Sequence, residues 1–108
     1  MRKIDLTSYE VELQMGEPGK TRPAPYDVKK SISMSLYHPE LKLSSRELLD
    51  NDRLARKIES ADDSILLEES DYACVLRAFE TIKGFDKHDV ELVRRVIEAP
   101  EIKVKEET

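Results

Sequence analysis

Apolar and polar positions alternate along residues 3–15, with Ile4 and Leu6 on one parity and Tyr9, Val11, Leu13 and Met15 on the other. A strand with a side-chain period of two cannot change parity without an extra residue. The segment is therefore either one strand with a bulge near Thr7-Ser8 or two separate short strands. Glu17-Pro18-Gly19-Lys20 is a turn, because Pro fixes φ and Gly accepts positive φ. Residues 20–26 then return as the second arm of a hairpin, with Pro23 and Pro25 confining that arm to an edge.

Residues 27–37 carry two patterns at once. Ser31, Ser33 and Ser35 alternate with apolar residues, whereas Val28, Ile32 and Leu36 follow helical spacing. Asp27 as N-cap favours the helix, and His38 before Pro39 ends the element. Ser44-Ser45-Arg46-Glu47 has the form of a capping box, with Leu43 and Leu48 at the staple positions. The helix that follows runs to about Ser60, with Leu48, Ala55 and Ile58 on one face and Leu54 beside them.

Ile65-Leu66-Leu67 reads as a short inner strand. Tyr72, Val75, Leu76, Phe79 and Ile82 give an amphipathic helix begun by Glu68, Glu69 and Asp71, with Gly84 and Phe85 at the C-terminal cap. Asp86 caps the next helix, which Pro100 stops. That helix has two apolar stripes. Val90, Val93 and Ile97 are expected to face the core, and Leu92 and Val96 to face outward with Arg95 as partner-binding residues. Glu101 to Lys105 alternates as a last strand.

These elements predict a single α+β domain spanning residues 1–108. A small, mostly antiparallel sheet, built from the N-terminal hairpin and short strands, carries three or four helices on one face. The expected core comprises Leu6, Val11, Leu13, Leu48, Ile58, Leu66, Leu76, Phe79, Ile82, Val93 and Ile97.

Charge alters the functional picture. Residues 1–44 hold 7 Lys/Arg and 6 Asp/Glu, a net +1, and residues 45–108 hold 11 and 17, a net −6. An acidic second half argues against broad binding to a phosphate backbone. Residues 69–98 form a helix-turn-helix-like unit, but Asp86, Asp89 and Glu91 occupy the end that would meet phosphate. The alternative, a nucleic-acid-linked regulator using this unit with Arg94 and Arg95 on the backbone, is the less favoured reading.

Catalytic candidates are few. Cys74 is the only cysteine, so no intrachain disulfide forms, and it sits mid-helix rather than at a helix N-terminus that would activate it. With His88 as base it would be a nucleophile; as a small apolar side chain it needs no further role. The acid pairs Asp62-Asp63 and Glu68-Glu69 would serve a small metal-dependent or hydrolytic enzyme, or simply complement a helix dipole. Two histidines and one cysteine do not make a zinc site, and three scattered glycines make no phosphate loop. No cofactor is expected.

No apolar stretch reaches the length of a membrane span and no leader is evident, so a protein without membrane contact is expected, cytoplasmic, or in the virion or host cytoplasm if phage-encoded.

His38-Pro39-Glu40-Leu41-Lys42-Leu43 with the helix after it, and the segment from Gly84 to Arg95, resemble short uncharacterised proteins encoded in bacteriophage and prophage genomes. Together they cover less than half the chain. The resemblance implies a phage accessory or assembly role and transfers no functional residue. The reading that results is a non-enzymatic protein-interaction protein that forms a homo-oligomer or docks on a larger assembly.

Overall fold

The computed structural model describes residues 1–16 and 18–103. The parity change at Thr7-Ser8 is a break between two strands that enter different sheets. Strand β1 (Arg2–Asp5) pairs antiparallel with β4 (Ser64–Leu67), Ile4 opposite Ile65. Strands β2 (Tyr9–Gln14) and β3 (Thr21–Tyr26) form a separate hairpin, Tyr9 opposite Tyr26. The chain turns out of β1 because the Asp5 carboxylate accepts from Thr7 N at 2.9 Å and Thr7 Oγ1 at 2.6 Å, an Asx turn that closes the strand. At the hairpin tip Met15 N donates to Lys20 O at 2.8 Å, and Gly19 takes φ +85°, a region open to Gly.

Helix α1 (Val28–Ser35) resolves the ambiguous segment in favour of the helical stripe. Asp27 accepts from Lys30 N at 3.0 Å as N-cap, and Val28, Ile32 and Leu36 are buried. The alternating serines do not require a solvent face, since Ser35 Oγ donates to Ile32 O and Ser33 Oγ to Glu59. Helix α2 (Ser45–Glu59) opens on the complete capping box between Ser44 and Glu47. Its buried stripe is Asn51, Leu54, Ala55 and Ile58, so Leu48 is exposed rather than core. Asn51 takes the place on that stripe because its Nδ2 donates to Leu36 O at 2.8 Å, joining α2 to the end of α1.

Helix α3 (Glu69–Thr81) buries Tyr72, Val75, Ala78 and Phe79. It ends without the expected Gly cap: Ile82 is extended, and Gly84, at φ +98°, lies in the loop beyond. Phe85 stacks on Phe79 with ring centres 5.5 Å apart. A 3-10 turn (Lys87–Asp89) with its own capping box, Asp86 to Asp89, leads into helix α4 (Val90–Ile97).

The orientation of α4 reverses the sequence-based expectation. Leu92 is 2% exposed and Val96 fully buried, while Val90 is 53% exposed and Ile97 also faces solvent. The two stripes differ little in apolar area, so tertiary contacts choose between them. Tyr72 Oη donates to Val96 O at 2.6 Å and the Leu92 amide donates to Tyr9 Oη at 3.3 Å, which draws that side inward. Leu92 and Val96 thus face the core rather than outward.

The helices lie on the inner face of the β1–β4 sheet, and the protein is α+β. The core is Ile4, Leu6, Ile32, Leu36, Leu54, Ile58, Leu67, Val75, Leu92 and Val96 with their buried neighbours. Of the expected core, Leu6, Ile58 and Phe79 are buried, Leu76, Ile82 and Val93 pack partly against it, and Leu13, Leu66 and Ile97 are exposed. Val11 is half-buried on the hairpin. Beyond Pro100, Ile102 N donates to Met1 O at 2.7 Å and Glu101 bridges to Arg2, covering the outer edge of β1. β4 is therefore an edge strand rather than an inner one. Val104 and Lys105 of the expected last strand lie outside the described residues.

Candidate interaction surface

The hairpin is fastened to the domain at its base and stands free beyond it. Tyr9 and Tyr26, opposite each other, stack at 4.7 Å and 10°. Tyr9 Oη donates to His88 O at 2.6 Å, and Tyr26 Oη donates to the Asp89 carboxylate. Burial, then the bond to Asp89, pushes the Tyr26 phenol well above its ordinary range, so it stays a donor. His88 Nε2 lies 2.9 Å from Glu12 O; a carbonyl only accepts, so Nε2 carries the hydrogen. Arg95 completes the fastening. It donates to Thr7 O at 2.5 Å, sits 5.3 Å over the Tyr9 ring and pairs with Asp5 and Glu91. With its side chain 16% exposed, Arg95 is a clamp at the hairpin base.

Beyond that base one face of the hairpin carries most of its apolar side chains, with Arg22 opposite Leu13. Val11, Leu13, Met15 and Ala24 share the side of Tyr9 and Tyr26, and Leu13 and Met15 are 37% and 46% exposed. The molecule extends 59 × 34 × 22 Å with a radius of gyration of 15.5 Å, against about 13 Å for a compact chain of this length. Val90 of α4 borders a shallow groove with Tyr9, Val11, Lys87, Glu91 and Arg94. Outward apolar surface on α4 thus exists, but it is supplied by Val90 and Ile97 rather than Leu92 and Val96.

Each hairpin edge is blocked to strand addition along part of its length. Alternation of hydrogen-bonded pairs from Met15–Lys20 places Pro23 and Pro25 at positions whose nitrogen points away from β2, so the outer edge of β3 lacks two donors. On the other side His88 occupies the Glu12 carbonyl.

The chemical candidates are dispersed. Cys74 is half-buried beside a small cavity lined by Leu41, Leu43, Glu47, Asn51, Arg77 and Ala78, and His88 is engaged at the hairpin instead. Burial first, then the charges of Asp71 and Asp50, raises the thiol pKa. Asp62 and Asp63 precede β4 and Glu68 and Glu69 follow it, so the pairs sit at opposite ends of that strand. Among the described residues no group of three or more His, Cys, Asp or Glu comes together as metal ligands. Arg94 pairs with Glu91 and Glu98, and Arg95 is held as above, so both arginines of the helix-turn-helix-like unit are already engaged by carboxylates. No helix among the described residues is long and apolar enough to cross a membrane.

The sequence pattern of the hairpin was readable as alternating apolar residues, but its freedom from the rest of the sheet was not. Compared with protein-family models, curated proteins and solved structures, the chain matches none.

Proposed function

We propose that this is a non-enzymatic protein-interaction protein, an accessory or assembly component that self-associates through the apolar face of its hairpin. The observation that supports this reading is the exposed pair Leu13 and Met15, continued by half-buried Val11, on an arm clamped at its base by Tyr9, Tyr26 and Arg95 and bordered by Val90. An arm held by an aromatic pair and several hydrogen bonds is ordered before it meets a partner, which lowers the cost of association. Exposed contiguous apolar surface of this kind marks partner sites.

The test is mass measured by light scattering over a range of concentrations. The expected result is a mass that rises with concentration, and a return to the monomer in the double variant Leu13→Glu, Met15→Glu. A monomer at every concentration, with no change in the variant, overturns the reading.

A further inference from the structure

We propose that β4 is a docking edge for an extended segment of another protein, apolar in its middle and basic at both ends. Three of the four outer sheet edges are blocked in whole or in part: β3 lacks donors at Pro23 and Pro25, β2 meets His88 at the Glu12 carbonyl, and β1 is covered by residues 100–102. The fourth is open. Leu6 N donates to Asp63 O at 2.8 Å, and by alternation Ile65 and Leu67 exchange bonds with β1. Ser64 and Leu66 therefore aim their N–H and C=O groups away from β1, and no described residue meets them. Unpaired strand groups of this kind are templates for an added strand. The side chain of Leu66, 41% exposed on the sheet face away from the helices, is a ready apolar contact for it.

Charge selects the occupant. Asp62, Asp63 and Glu68 have no ion-pair partner among the described residues, while Glu69 is taken by Arg2 at 3.5 Å and the N-terminus at 3.9 Å. The edge is thus acidic at both ends. An antiparallel second copy paired about Ile65 would set Asp62 against the second copy's Glu68, like charge on like. The acids act as gatekeepers against self-pairing. A strand with Lys or Arg at both ends matches the edge in either direction. The reading is independent of the hairpin face, and hairpin variants leave it intact.

The probe is a synthetic peptide, Lys-Lys-Val-Thr-Val-Thr-Val-Lys-Lys, compared with its Glu-flanked counterpart by amide NMR on the full chain. In the free protein the Ser64 and Leu66 amides are expected to exchange rapidly and those of Ile65 and Leu67 slowly. The Lys-flanked peptide is expected to shift and protect Ser64 and Leu66 and to bind roughly tenfold or more tightly than the Glu-flanked one, the scale of several exposed ion pairs. The triple variant Asp62→Asn, Asp63→Asn, Glu68→Gln should lose that preference and begin to pair with itself. Leu66→Pro removes a donor that β1 does not use and should abolish peptide binding while the spectrum stays native. Peptide binding that leaves Ser64 and Leu66 unmoved, no binding at millimolar peptide, or equal binding of the two peptides by the native chain overturns the proposal.

Discussion

Truncating Leu92 and Val90 separately decides which side of α4 is core. Leu92 is 2% exposed, so Leu92→Ala removes about three buried carbons, roughly 2.4 kcal/mol of transfer free energy at about 0.8 per methylene. A residual cavity adds to this, giving about 2–5 kcal/mol. For a domain near this length that is a fall in Tm of roughly 10–20 °C. Val90 is 53% exposed, and Val90→Ala removes two carbons that already meet water while improving helix propensity by a few tenths of a kcal/mol. The net effect is expected to be below about 0.5 kcal/mol, typical of surface substitutions. Thermal and urea unfolding at two protein concentrations measure both, the second concentration separating folding from association. A Val90→Ala cost equal to or above that of Leu92→Ala would refute the orientation and, with it, the hairpin contact through the Leu92 amide.

Tyr26→Phe removes the bond to Asp89 and is expected to cost about 1.5–3 kcal/mol, the range for a hydrogen bond to a charged group. Its amide exchange should quicken across residues 9–26 before the core, and uniform quickening would count against a local clamp. Asp5 has its pKa held below 3.8 chiefly by the Thr7 hydroxyl and then the Thr7 amide. Its contribution to stability is therefore present above about pH 4, the unfolded value, and lost as pH falls through the lower folded value. Asp5→Asn should flatten the acid limb of stability against pH; an unchanged slope in urea midpoints speaks against the Asx turn. Cys74, with its thiol raised above 9.0, should alkylate slowly at neutral pH and faster as pH climbs toward that value, so modification within seconds at pH 7 would contradict its burial.

Local signals were legible because a single short segment decides them. The Ser44–Glu47 box and the Asp27 cap appear where spacing places them, Tyr72, Val75 and Phe79 of the α3 stripe are buried, and Asp86 caps the 3-10 turn before α4 rather than α4 itself. Leu48 lies outside the core because Asn51 donates to the Leu36 carbonyl and takes a place on the buried stripe with Leu54, Ala55 and Ile58, which spacing of apolar residues alone does not reveal. The two stripes of α4 could not be ordered from sequence, since the deciding groups, Tyr72 and Tyr9, lie 24 and 83 residues away from their bonds on it. Arg95 was singled out for a partner, yet it is spent within the chain on Thr7 and Tyr9.

The sheet edges were illegible for a related reason, which lies at Asp5. With a bulge at Thr7-Ser8, β1 and β2 would be one strand, the prolines of β3 would guard the end of that sheet, and Ile65-Leu66-Leu67 could sit inside it. The Asx turn at Asp5 instead frees β1 to pair with β4 across about 60 residues, and residues 100–102 then take the remaining side of β1. Pairing at that separation is fixed by the assembled core, with Ile4 and Leu6 on the same face as Ile65 and Leu67. β4 is left at the rim by elimination. The acid pairs that read as helix-dipole partners or weak catalytic candidates acquire another meaning there, as charges at both ends of a strand whose outer backbone groups meet no described residue. A feature that no window of sequence contains, an open edge, thus gives the most ordinary residues in the chain a role that can be measured.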